Sequence, residues 1–319
     1  MTYAPIIIPT LNRIEHLTRC IESLRKNRLA DKTDLYIALD YPPSQKYEEG
    51  YEKVKAYLEN GISGFASVNI VYREKNYGPL DNGLKLQKEL WERYDRSIYT
   101  EDDNVFAPCF LEYMNEALEK YKDNKDILAV YSYGPRVKNK PQNGKDVYIT
   151  NYFSAYGCGQ WRDKEKQLSK ELNYSYIENL SCDKQKLRRM RHIHPETICY
   201  LASILLRKEP IYRTEDGRVQ LIDTVKITYA VAENKYLLCS PKRMVVNRGY
   251  DGSGAHCNTK DVTFDESQLV KEENCDIGFP DVPETEELDY GLKKGRIIPF
   301  CSAYIRIMIW RLIANRRGF

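Results

Sequence analysis

The sequence predicts an α/β protein with a mostly parallel, Rossmann-like sheet flanked by helices. Three observations carry that expectation. Short apolar runs such as residues 4–8 (APIII) stop at Pro or Asp and read as strands buried on both faces. Amphipathic segments separate these runs, so strand and helix alternate over the first 130 or so residues. An acidic triplet, Glu101-Asp102-Asp103, then follows a short strand. That is the carboxyl edge of the sheet, where open α/β folds bind nucleotides.

Taken in order, residues 4–8 are the first strand, ended by Pro9. Residues 14–24 follow with apolar side chains at 14, 17, 21 and 24, one face of a helix. The second strand, 35–39, stops at Asp40 and the Pro42-Pro43 breaker. Tyr51, Val54, Tyr57 and Leu58 mark the second helix. The third strand, 68–72, leads to Arg73 and a Gly78-Pro79 turn; Leu80, Leu84, Leu86, Leu90 and Trp91 then give a third helix. Residues 95–100 are the strand before the triplet, 110–121 a helix beginning near Pro108-Cys109-Phe110, and 127–131 a fifth strand. From about Gly134 the regularity fades. A polar loop spans 135–144, an aromatic and Gly-rich stretch 152–161, and a basic helix face 184–191. Residues 194–206 and 221–232 read as helices, 236–239 and 244–247 as strands. The chain therefore divides into a ligand-binding half, 1–133, an irregular half of the same catalytic unit, 134–290, and a tail, 291–319.

Composition narrows the class. The chain has 319 residues, 42% hydrophobic and 30% charged, enough for one large α/β domain. A net charge of +3 is too small to argue for nucleic acid. The nine cysteines are scattered singly with no C-x-x-C pair, which predicts reduced thiols in the cytosol and neither a zinc knuckle nor a redox motif. The segment MTYAPIIIPT has no basic n-region and too short an apolar run for a signal peptide or a spanning helix. The expected location is cytoplasmic, with the option of a peripheral position on the inner membrane face.

The motifs that are missing also exclude functions. There is no G-x-G-x-x-G after the first strand, no G-x-x-x-x-G-K-[ST] loop, no G-x-S-x-G elbow and no H-E-x-x-H pair among the four histidines. What remains is the triplet. Adjacent carboxylates at a strand end repel one another, and a hard cation such as Mg²⁺ or Mn²⁺ offsets that cost while bridging phosphates. As an exposed strand-end carboxylate, Asp103 is expected to contribute little to stability.

The N-terminal PIIIPTLNR, the strand-end Asp40, the NYGPLDNG stretch at 76–83 and EDD at 101–103 together resemble a glycosyltransferase of the GT-A fold. The pattern is similar to family 2 enzymes. EDDNVFAPCF also resembles the acidic motif of N-acetylglucosaminyltransferase I. The run YGCGQWRD at 156–163 is similar to the acceptor-side loop of bacterial sugar transferases, and NRGYDGSGAHC at 247–257 to a C-terminal motif of their homologues. The resemblance covers roughly residues 4–258.

That resemblance implies a metal-dependent, inverting hexosyl- or N-acetylhexosaminyl-transferase of polysaccharide biosynthesis. It would move a sugar from a nucleotide diphosphate donor, with a UDP-sugar expected, to a glycan or lipid-linked acceptor. Asp103 would bind Mn²⁺ or Mg²⁺, and His256, in a loop with Gly249, Gly252 and Gly254, would close over the metal and diphosphate. Glu101 and Asp102 would face ribose and sugar hydroxyls. Asp40 would accept from the base. Pro9, Thr10 and Arg13 would line the nucleotide pocket, with Arg73 and Asn82 near phosphate or base. An inverting reaction needs a base for the acceptor hydroxyl. The resemblance points to Asp223, where Val225 replaces the tryptophan often found nearby, with Asp163 the alternative.

Two other classes stay open at this point. A nucleotidylyltransferase shares a related α/β fold, but PIIIPTLNR lacks its Gly-rich basic signature. A non-catalytic carbohydrate- or membrane-binding protein would not need an intact EDD. In the tail, Lys293, Lys294, Arg296, Arg306, Arg311, Arg316 and Arg317 stand with no acidic residue after Asp289, and Ile305, Met308, Ile309 and Leu312 share one helical face. Residues 296–319 read either as a basic amphipathic helix on an anionic membrane or as a helix docked on the protein itself.

Overall fold

Ile6, Ile7 and Ile8 are wholly buried because both faces of their strand are covered by helices. Ile6 and Ile8 join one hydrophobic cluster, and Ile7 joins another on the opposite face, as period-2 alternation requires. The computed structural model describes residues 2–133, 144–205, 223–253, 269–271, 276–286, 302–303 and 305–309.

The first half is regular. β1 (Ile6–Thr10), α1 (Ile14–Arg25), β2 (Asp34–Leu39), α2 (Glu48–Glu59), β3 (Ser67–Tyr72), α3 (Pro79–Leu90) and β4 (Arg96–Tyr99) follow the predicted alternation. β5 (Asn104–Phe106), α4 (Phe110–Lys120) and β6 (Ile127–Tyr131) come next. The strands run β3-β2-β1-β4 in parallel, so chain order reverses at β1 and β4. A crevice opens beyond the carboxyl ends of strands at such a switch point. Thr10, Asp40, Arg73 and the 101–103 triplet all follow or end those strands.

The second half completes the same sheet. It contributes β7 (Tyr148–Thr150), β8 (Cys158–Trp161), β9 (Tyr236–Cys239), β10 (Val245–Asn247) and β11 (Glu284–Thr285). β8 is inserted antiparallel between β4 and β6, and the sheet continues through β9 and β7 to β11. β10 pairs antiparallel with β5 as a separate ribbon, Asn247 opposite Asn104. The helices α5 (Arg162–Glu171), α6 (Tyr174–Cys182), α7 (Lys184–Ile193), α8 (Glu196–Leu205) and α9 (Asp223–Ala232) build their own cluster around Ile177, Met190, Ile198, Leu201 and Ala230. Asn173 and Asp183 cap α6 and α7 by accepting backbone N–H groups. The mostly parallel, helix-flanked sheet expected from the sequence is present, and the stretch expected as an acceptor-side loop is partly a central strand.

Two expectations change. Cys109 is disulfide-bonded, whereas Cys20, Cys158, Cys182, Cys199 and Cys239 are free. Cysteine usage therefore no longer argues for a reducing compartment. In the tail, residues 302–303 and 305–309 are helical; Ala303 and Ile307 are buried while Ile305, Met308 and Ile309 stand exposed. The helix docks on the protein, but by a face other than the predicted apolar stripe. Among the described residues, no helix is long and apolar enough to cross a membrane.

The seating of α3 on β1 and β4 depends on Gly83. A Cβ there would stand 2.6 Å from the Tyr99 ring and 3.2 Å from Pro9 Cγ. Gly83→Ala is expected to overpack this contact and lower stability by about 1–3 kcal/mol, read as a lower urea midpoint at unchanged slope. An unchanged midpoint would show that Tyr99 has room to turn away.

Candidate active site

The triplet is not a solvated turn. Asp102 and Asp103 are only 4% and 6% exposed, so the expectation of an exposed, structurally neutral Asp103 is corrected. Burying carboxylates demands partners. Thr10 Oγ1 donates to Asp102 Oδ2 at 2.7 Å. Arg13, the last residue before α1, ion-pairs with Asp102 and, at 2.8 Å, with Asp103 Oδ2. Burial alone would lower the Arg13 pKa, and the two carboxylates outweigh it and hold the guanidinium above its ordinary value. Burial also raises the Asp102 pKa, against Arg13.

The β5–β10 ribbon clamps the other side of Asp103. Asn247 Nδ2 donates to Asp103 Oδ1 at 2.7 Å and to Asn104 Oδ1 at 3.0 Å. The Arg248 N–H donates to the Asp103 carbonyl at 2.8 Å. Gly249 then passes so close that a Cβ would lie 2.2 Å from Asp103 Oδ2, so a side chain there would displace the Asp103 carboxylate. The loop continues to Asp251, whose carboxylate meets His16 Nε2 at 2.9 Å and ties the loop back to α1. Asn247, Asn104 and His16 escaped the sequence reading. Asn104 and Asn247 are paired across 143 positions, which no local pattern signals.

Glu101 differs from its neighbours. Among the described residues its carboxylate has no hydrogen-bond or ion-pair partner. Burial and the charges of Asp103, Asp223 and Asp102 push its pKa well above the carboxylate range. Asp223, at the start of α9, reaches the same region. It accepts the Ala155 N–H, and burial raises its pKa to about 6 against the nearby Lys226. Tyr156, on the 155–157 turn, bonds Tyr250 hydroxyl to hydroxyl at 3.0 Å and so joins the two chain segments beside the triplet.

The other predicted residues sort differently. Asp40 is buried and both its oxygens are engaged: it accepts N–H groups of Tyr41, Tyr77 and Gly78 and Nδ2 of Asn76. It holds the loop that starts α3, where Gly78 has φ +81° and Pro79 opens the helix. Arg73 donates to Asn82 Oδ1 at 2.9 Å and pairs with Glu89 at 3.1 Å, while Asn82 Nδ2 donates to the Ala38 carbonyl. Both side chains knit α3 to β2 and β3. Pro9 lies within β1 against α3. Asp163 is exposed beside Trp161, which pairs with Arg96 at the far end of β4 from the triplet. The structure does not bring it to the site. His256 lies outside the described residues.

The donor set suits a divalent cation. Three buried or half-buried carboxylates and Asp223 stand against one paired guanidinium, an excess of negative charge that is costly without a counter-ion. Among the described residues, no group of three His, Cys, Asp or Glu side chains is arranged to hold a metal. Mg²⁺-type sites do not need such a cage, because one or two carboxylates plus substrate phosphates suffice.

No protein-family model matches the chain, and no curated protein matches it in sequence. Solved structures share parts of its architecture. The UDP complex of TarS from S. aureus aligns with 76% of this chain and 59% of its own length, at 13% identity and a TM-score of 0.43. The matched part thus spans less than two thirds of that TarS structure. The mannosyltransferase PcManGT of Pyrobaculum calidifontis, with GDP-Man and Mn²⁺, aligns with 72% of this chain and 70% of its own at 12% identity and a TM-score of 0.38. Mouse xyloside xylosyltransferase 1 aligns with 56% and 75% at 11% identity and a TM-score of 0.35. At these scores the likeness fixes no residue role in this chain.

Behind Asp223, Lys226 Nζ pairs with Glu165 Oε1 at 2.9 Å, both residues being 6% exposed. Lys226→Met leaves Glu165 buried and uncompensated, and a loss of about 3–5 kcal/mol is expected. The double variant Lys226→Met, Glu165→Leu should recover most of it. Chemical denaturation of both measures this, and equal losses in the two would mean the pair is not the source.

Proposed function

We propose that this chain is an inverting glycosyltransferase that takes a sugar from a nucleotide diphosphate donor, a UDP-sugar by expectation. The acceptor is a hydroxyl of a glycan or lipid-linked glycan. The observation that carries the reading is the pairing of two differently tuned acidic groups at the switch point. The 101–103 triplet ends β4, and Asp223 faces it from α9 with a pKa near 6. Such a separation of roles is what acid–base chemistry at neutral pH needs.

In this reading the crevice at β1 and β4 binds the donor, and Arg13 sets one positive charge between Asp102 and Asp103. A Mg²⁺ or Mn²⁺ held by Asp103, with His256 from outside the described residues, would supply Lewis-acid stabilisation of the leaving diphosphate. Asp223 takes the proton from the acceptor hydroxyl as its oxygen bonds to the anomeric carbon. The bond from that carbon to the diphosphate oxygen breaks on the opposite side, so configuration inverts. The Ala155 N–H orients the Asp223 carboxylate, and Lys226 favours its ionised form.

Incubation with Mn²⁺ and a panel of donors should release nucleoside diphosphate. Pyrophosphate release from a nucleoside triphosphate and a sugar phosphate would instead mark a nucleotidylyltransferase, and no turnover at all a binding protein. Asp103→Asn is expected to slow transfer roughly 10²-fold or more through loss of charge stabilisation. Turnover near the wild-type rate would remove Asp103 from the site.

Asp223→Asn should leave donor affinity nearly unchanged and reduce transfer roughly 10²–10⁴-fold. The wild-type rate should fall about tenfold per unit as pH drops below about 6, because Asp223 must be ionised to act and its pKa is raised to about 6. A rate flat down to pH 4 would exclude Asp223 as the base.

A further inference from the structure

The helical residues 302–303 and 305–309 leave one side uncovered. Ala303 and Ile307, about one turn apart, are buried in the cluster that holds α8 and α9. On the side away from them, Ile305, Met308 and Ile309 are 56%, 50% and 50% exposed, and Arg306 is exposed among them. The large exposed hydrophobics elsewhere in the described residues are Tyr41, Tyr72 and Val282, and none of these is aliphatic except Val282. Three aliphatic side chains grouped within two helical turns therefore mark an interaction surface.

Charge says what it meets. Residues 290–319 hold Lys293, Lys294, Arg296, Arg306, Arg311, Arg316 and Arg317 out of 49 basic residues and none of the 46 acidic ones. The rest of the chain is net acidic. An apolar face accompanied by cations alone suits a surface of anionic headgroups over hydrocarbon. The aliphatic side chains enter the acyl boundary and Arg306 stays at headgroup level. A second copy of this chain would set the same cations against one another, which disfavours it. No described helix is long and apolar enough to span a bilayer, so this one would lie on the surface.

We propose that the face bearing Ile305, Arg306, Met308 and Ile309 docks on an anionic lipid surface and holds the protein peripherally at a membrane. The proposal stands independently of the sugar-transfer reading. The test is flotation of the full chain with phosphatidylcholine vesicles, with and without phosphatidylglycerol. Binding is expected only with the anionic lipid and should weaken as salt rises. The triple substitution Ile305→Ser, Met308→Ser, Ile309→Ser spares the buried Ala303 and Ile307, so the thermal midpoint should hold while binding falls roughly tenfold or more. Arg306→Glu should weaken it as well. The proposal is overturned by a full chain that ignores anionic vesicles at low salt, by equal binding to neutral ones, or by a triple variant that floats like the wild type. It is also overturned if the triple substitution abolishes a dimer while the full chain binds no vesicle.

Discussion

The structure around the site depends on one constraint: the carboxylates of Asp102 and Asp103 are buried at the end of β4. Water cannot compensate them there, so protein groups must. Arg13 can do so because only three residues separate β1 from α1, which directs its guanidinium across the sheet edge. Asn247 can do so because β10 returns to pair with β5, and Gly249 allows the returning chain to approach without a side chain. Removing any one of these supports would leave a buried charge exposed to its like-charged neighbours. Glu101 is the member with no hydrogen-bond or ion-pair partner among the described residues, and burial with the charges of Asp103, Asp223 and Asp102 raises its pKa against the opposing charge of Arg13.

The second half of the chain supplies the opposing wall. β8 enters antiparallel beside β4, which puts its Cys158 end next to Tyr99 and the 155–157 turn beside the triplet. Ala155 then offers its N–H to Asp223. The same antiparallel direction carries Trp161 and Asp163 to the opposite edge. Strand direction therefore places Asp223, and not Asp163, beside the triplet. α9 is anchored by the buried Lys226–Glu165 pair, where the Lys226 ammonium also lies 4.8 Å from the Phe153 ring. One buried cation both fixes a helix and biases the ionisation of the carboxylate a turn away.

The loop-holding residues carry a related lesson. Asp40, Arg73 and Asn82 stand at strand or helix ends that face the crevice, where ligand contacts are commonly found. Each is engaged by protein groups in this structure. Together they fix the start of α3 and so the shape of one wall of the crevice.

β1 to β4 and the three helices between them could be read from the sequence because their signals are local. Apolar runs ended by Asp40 or Pro9, and helical spacings such as 14, 17, 21 and 24, report burial within one element. The triplet could also be read, since its chemistry lies in adjacent residues. β5 could not, because three residues make a strand only when β10 lies beside them. α5 escaped because RDKEKQLSKE has little apolar periodicity; only Leu168 and the paired Glu165 are buried on it. The tail's apolar stripe was legible, yet the helix docks by Ala303 and Ile307, because contact with α8 and α9 belongs to tertiary packing. The sequence by itself determined the sheet's parallel half and the acidic chemistry at its edge. The tertiary structure decided which charges are compensated, which carboxylate faces the triplet and which face of the tail is left open, because those are energies of contact between residues far apart in the chain.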